Sequence, residues 1–180
     1  MNNLRHLSLV AALLAGLSPL AATAAEVHLS PNSNGGSGAM PSGYGTLYFN
    51  LKEGDWAEEI TLPANPRSGD EVLLTSESNR MARLDTSGTS FKDLVYLPVG
   101  RGTSLWLFWD PSVNSWLVLG GHSAQFVQPQ WGMPELSIPP SGAPVTQVHD
   151  SGWKFTAINL PDAAPQGAQL AVTSRQSNDI

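Results

Sequence analysis

The chain has 180 residues, no cysteine, nine Lys and Arg against fifteen Asp and Glu, and a formal charge of −6. That acidic balance argues against nucleic acid and anionic membranes as partners. The absence of thiols excludes disulfide staples, thiol catalysis and thiolate zinc sites.

Residues 1–25, MNNLRHLSLVAALLAGLSPLAATAA, place Arg5 before an apolar run and small residues at Ala22, Ala24 and Ala25. This order reads as a secretory signal peptide, and Gly16 and Pro19 interrupt it too early for a membrane span. The expected product is exported, periplasmic or secreted, with no membrane span in the mature chain. N-terminal sequencing of the exported protein is expected to start at Ala25 or Glu26. Recovery of intact Met1 in that fraction would refute this.

Residues 26–44 are rich in Gly, Ser, Asn and Pro, which predicts a flexible lead-in. Its glycines lack the Lys and the following helix of a phosphate-binding loop. From Gly45 onward short runs of strand length follow one another: TLYFNL, AEEITL, EVLLTS, RMARLD, DLVYLP, SLWLFW and SWLVLG. Turn formers bound each of them, and no window carries sustained helical periodicity. The expectation is an all-β fold, an antiparallel sandwich or barrel-like module over residues 45–126. Residues 127–144 carry several prolines and are expected to form a linker.

The last segment repeats the first. GTLYFNLKEGDW, ending at Trp56, aligns with GAPVTQVHDSGW, ending at Trp153, at an offset of 97. One added residue then brings Ile60, Leu62 and Pro63 opposite Ile158, Leu160 and Pro161. Such self-similarity marks a duplicated unit. Residues 145–180 are therefore a partial repeat, expected to pack against the first module because two or three strands are not stable alone.

The motif formed by Trp56, Ile60, Leu62, Pro63, Gly69, Val72 and Trp116 resembles the non-catalytic β-module of secreted, mucin-cleaving zinc metalloproteases of the dictomallein type. The resemblance covers Leu47 to Leu119, and more weakly Val145 to Ser174. It implies a module associated with secretion and glycoprotein surfaces, and it supplies no catalytic residue. The H-E-x-x-H helix that holds zinc in those proteases is missing, and His28, His122 and His149 lie far apart.

Other chemistries find little support. His149 and Asp150 with a nearby Ser lack the G-x-S-x-G elbow, and align with the turn residues Lys52 and Glu53. Glu58 and Glu59 are adjacent on a strand and should face opposite sides. Glu53, Asp55 and Asp70 lack calcium-loop spacing. The expectation is a protein without enzymatic activity, cofactor or metal. Its ligand is an extracellular surface component such as a glycan or mucin-type glycoprotein. The alternative is a structural or inhibitory subunit that docks onto a secreted partner such as a protease.

Six tryptophans are the most informative side chains. Trp106 and Trp109 are three apart on one run and must face opposite ways. Core packing is the default for each indole. The candidate exceptions are Trp109, with its neighbour Asp110 at a strand end, and Trp131 in the Pro-rich segment. These three residues are the expected ligand-binding site.

Overall fold

A computed structural model describes residues 25–130, 132–150 and 155–174. The segment read as a signal peptide, up to residue 24, lies outside the described residues, as do Trp131 and Trp153. Every regular element among the described residues is a strand, and the all-β expectation is met. No helix among the described residues is long and apolar enough to cross a membrane.

The first layer is a five-stranded sheet. Its strands are β1 (Glu26–Leu29), β2 (Thr46–Leu51), β4 (Glu71–Ser76), β7 (Ser104–Asp110) and β8 (Ser115–His122), side by side in that order. Facing it are β3 (Glu59–Ile60), β5 (Ala82–Leu84) and β6 (Leu97–Val99). Strict alternation in TLYFNL and EVLLTS turns Leu47, Phe49, Leu51, Val72 and Leu74 inward. They meet Ile60, Ala82, Leu84 and Val99 from the opposite layer, all fully buried. Each such side chain contributes about 1.5–3 kcal/mol on removal from water.

Pairing direction differs from the expected antiparallel pattern. Only β4–β7, β7–β8 and β5–β6 are antiparallel; the β1–β2, β2–β4 and β3–β5 pairs are parallel. A parallel pair needs a crossover of about a dozen residues or more. Residues 30–45 and 52–70 provide it by crossing to the opposite layer and returning. Side-chain alternation reports which face is buried and is blind to strand direction, so the runs were found while their sense was not.

Residues 26–44 are ordered despite their composition. They carry β1, and Ala39 bridges to Thr61 while Met40 is buried. The backbone takes up the polar content: Asn34 Nδ2 donates to Ser37 O and Ala39 O, and Asn32 N donates to Asp55 Oδ1. Gly38 is needed because a Cβ there would run into the carbonyl of Glu59.

The repeat is more extensive in backbone than in sequence. Strands β9 (Ala124–Val127), β11 (Val145–Asp150) and β13 (Gln169–Ser174) form a parallel sheet in the order β13-β11-β9. Strands β10 (Glu135–Ser137) and β12 (Ala157–Asn159) pair beside it. The bridge Ala39–Thr61 recurs 98 residues on as Ser137–Asn159, and β1 and β4 recur as β9 and β13 at the same offset. The second copy thus begins at β9, and the Pro-rich residues 127–144 include β10. Across β2 and β11 the offset is 99, because Thr46 and Val145 hold equivalent pairing positions. The sequence alignment at 97 is two residues away, a slip that keeps every side chain on its face.

The second copy has its own small core of Leu136, Ile138 and Val148, flanked by Val127, Phe155 and Ile158. Leu160 and Leu170 of the partial repeat, which was expected to pack against the first module, are exposed. The two copies meet where β6 runs up to β9. There Gly100 N donates to Ala124 O at 2.7 Å, and Ser123 Oγ donates to Pro98 O.

Candidate functional site

The outer face of the five-stranded sheet carries an aromatic row. Register places His28, Tyr48, Leu73 and Trp106 side by side on β1, β2, β4 and β7. Their inward neighbours are core residues, so alternation turns these four outward. Three strand spacings separate the ends, about 14 Å. His28 and Tyr48 are stacked with ring centroids 4.3 Å apart. Trp106 is 45% exposed, and its Nε1 donates to Glu71 Oε2 at 3.1 Å. That bond holds the indole in place against the sheet.

At the β1 end the row sinks into a depression of about 340 Å³ lined by His28, Ser30, Ser33, Tyr48, Asn50 and Lys52. Asn50 Oδ1 is buried there without a hydrogen-bond partner. A buried acceptor left unpaired costs about 1–3 kcal/mol. A ligand hydroxyl or amide can relieve that cost. The row therefore offers apolar ring faces flanked by a carboxylate, an amide and an ammonium group.

Trp109 lies on the opposite face of β7, as the three-residue spacing requires. It packs edge-on against the buried Trp116, with centroids 5.8 Å apart at 63°. It also lines a 370 Å³ pocket together with Leu62, Pro63, Asp85, Ser87 and Asn114. Its neighbour Asp110 is engaged by the β7–β8 turn. Ser112 Oγ and Ser112 N both donate to Asp110 Oδ1, at 2.6 and 2.8 Å. These bonds hold the carboxyl below the ordinary carboxylate range. One oxygen is thus committed to the turn, where Asn114 adopts a left-handed φ of 51°. Trp109 and Asp110 are adjacent in sequence but are directed to opposite faces of the sheet.

Asp70, Asp55 and Glu53 serve the backbone. Asp70 Oδ2 accepts from Arg67 N, Asp55 Oδ1 from Asn32 N, and Glu53 Oε2 from Asn79 N. Glu58 and Glu59, expected to diverge, both approach Arg83 Nη1 at 3.8 and 3.7 Å. They flank the start of the two-residue β3, where the chain has not settled into strand alternation. Among the described residues no group of three or more His, Asp or Glu is placed to hold a metal ion. The ring of His149 stacks on Phe126 at 6.2 Å.

Sequence reasoning passed over His28, Tyr48 and Trp106. The available signal was the choice between Trp106 and Trp109. Trp106 shares its face with Ser104, whereas Trp109 continues the buried phase of Leu105 and Leu107.

Residues 45–119 match the family model for the β-sandwich domain of metalloprotease StcE. The match runs from the start of β2 into β8 and bears out the resemblance carried by Trp56, Ile60, Leu62, Pro63, Gly69, Val72 and Trp116. It is a match to the β-sandwich domain and not to a catalytic domain. Among solved structures, a chain from one described as a chaperone–substrate complex is 31% identical over 82% of this chain, with a TM-score of 0.51. This chain spans about a quarter of that one, at 25%. No curated protein matches.

Proposed function

We propose that this chain is an exported, non-catalytic β-module that binds an extracellular glycan or mucin-type glycoprotein through the outer face of its five-stranded sheet. The observation that carries this reading is the row of His28, Tyr48, Leu73 and Trp106, with Glu71 fixing the indole. Sugar rings present apolar faces to aromatic planes, and their hydroxyls donate to carboxylates and amides. The likeness of residues 45–119 to a β-sandwich domain of a mucin-targeting protease supports the same ligand class. Trp109, beside its own pocket, and Trp131, outside the described residues, are separate further candidates on this reading.

Binding of an O-glycosylated mucin fragment by isothermal titration tests it. Trp106→Ala is expected to weaken binding at least tenfold, about 1.4 kcal/mol, with an unchanged melting curve because the ring is half in solvent. Trp109→Ala and Trp131→Ala report on those two candidates separately. Unaltered affinity in Trp106→Ala, Tyr48→Ala and their double variant would sink the row as a binding surface.

A further inference from the structure

The two copies differ most where their sheets end. In the first copy β4 is covered by β7, which pairs antiparallel and sets Leu107 opposite Val72 and Leu105 opposite Leu74. Both β4 residues are fully buried. Their counterparts on β13 are Leu170 and Val172, which are 40% and 49% exposed. Among the described residues β13 has one strand neighbour, β11.

Both edges of the five-stranded sheet are guarded against further pairing. Outside β8, Gly88 O accepts from Trp116 N, and Trp116 O accepts from Ser90 N. The far half of β8 carries a register shift and ends in Gly120, Gly121 and His122. Gly121 has φ 82°, and a Cβ there would strike the Ser104 carbonyl. The β1 edge is four residues long and bears Glu26 and His28. Charges, bulges and short length are how sheets avoid unwanted pairing. β13, Gln169–Ser174, has none of these: six residues, no charge, no Pro, no Gly and no bulge.

We propose that β13 pairs antiparallel with β13 of a second copy of this chain, about a two-fold axis through Ala171. That register sets Leu170 opposite Val172 of the second copy and Gln169 opposite Thr173. The strand is self-complementary, with apolar residues meeting on the core face and polar ones on the other. This reproduces what β7 does for β4. A chain of formal charge −6 meets itself here without like-charge contact, since β13 carries no ionisable group. The result is one six-stranded sheet running β9-β11-β13 into its mirror order. Such an isologous interface closes after two copies.

Sedimentation equilibrium of the full chain tests the pairing. The wild type is expected to be a dimer in reversible exchange, and Val172→Lys to raise its dissociation constant at least a hundredfold with the strand spectrum in circular dichroism retained. Ala171→Cys provides a readout that does not depend on a disruptive variant. The chain has no other cysteine, and an antiparallel pair brings facing Cα atoms to about 4.5–5.5 Å, within disulfide range. Mild oxidation of Ala171→Cys is expected to give a covalent dimer, while Asn65→Cys, on an exposed loop, stays monomeric. A wild type that is monomeric at all concentrations overturns the proposal. So does a dimer that survives Val172→Lys, or cross-linking no greater at Ala171→Cys than at Asn65→Cys.

Discussion

Trp116→Ala is expected to lower the stability of the first copy by about 3–5 kcal/mol, the range for deleting a buried large aromatic. Trp116 is 2% exposed and sits at the end of the core where β8 enters. Its ring supports Trp109 edge-on. Its backbone ties down the 86–91 loop through Gly88 and Ser90, and Thr89 Oγ1 secures that loop from within by donating to Thr86 O. Removing the indole leaves a cavity that the short hairpin cannot collapse to fill. Against a total stability of about 5–15 kcal/mol, the loss should be plain in urea titration as a lower midpoint. A midpoint unchanged from wild type would mean that the Trp109–Trp116 pair is not part of the folded core.

Gln125→Leu is expected to destabilise the second copy by about 2–4 kcal/mol and to leave the first largely intact. Gln125 is 1% exposed at the start of β9. Its Nε2 donates to Pro139 O at 3.1 Å, and its Oε1 accepts from Ser141 Oγ at 3.0 Å and Thr146 Oγ1 at 3.1 Å. One amide therefore ties β9 to β11 and to the loop after β10. Leucine keeps the volume but orphans these partners, at about 1–3 kcal/mol for each group left buried and unpaired. The apolar core of this copy is small, so the network is a large share of what holds it. Hydrogen exchange should show lost protection over β9, β11 and β13, with β2, β4 and β7 still protected. Equal loss in both copies would show that they fold as one unit.

The tryptophans divide by how far each depends on register. That Trp106 and Trp109 face opposite ways follows from strand periodicity alone. Which of them is buried depends on the phase set by Leu105 and Leu107, and on β8 arriving with Trp116 beneath Trp109. The candidate pairing of Trp109 with Asp110 treated neighbours in sequence as neighbours in space. On a strand they are on opposite faces, and the turn through Ser112 claims part of the carboxylate.

The sequence by itself determined the all-β class and the limits of β2 and β4, and its self-similarity marked a repeat. The strands rest on local alternation and turn residues, which act over a few positions. Tertiary structure alone decided strand direction, because parallel and antiparallel neighbours bury the same alternating face. It also decided that the Gly- and Pro-rich segments carry strands, since their hydrogen bonds go to distant partners such as Asp55 and Thr61. The aromatic row was decided there too: His28, Tyr48, Leu73 and Trp106 come from four strands and become neighbours only through the register of the sheet.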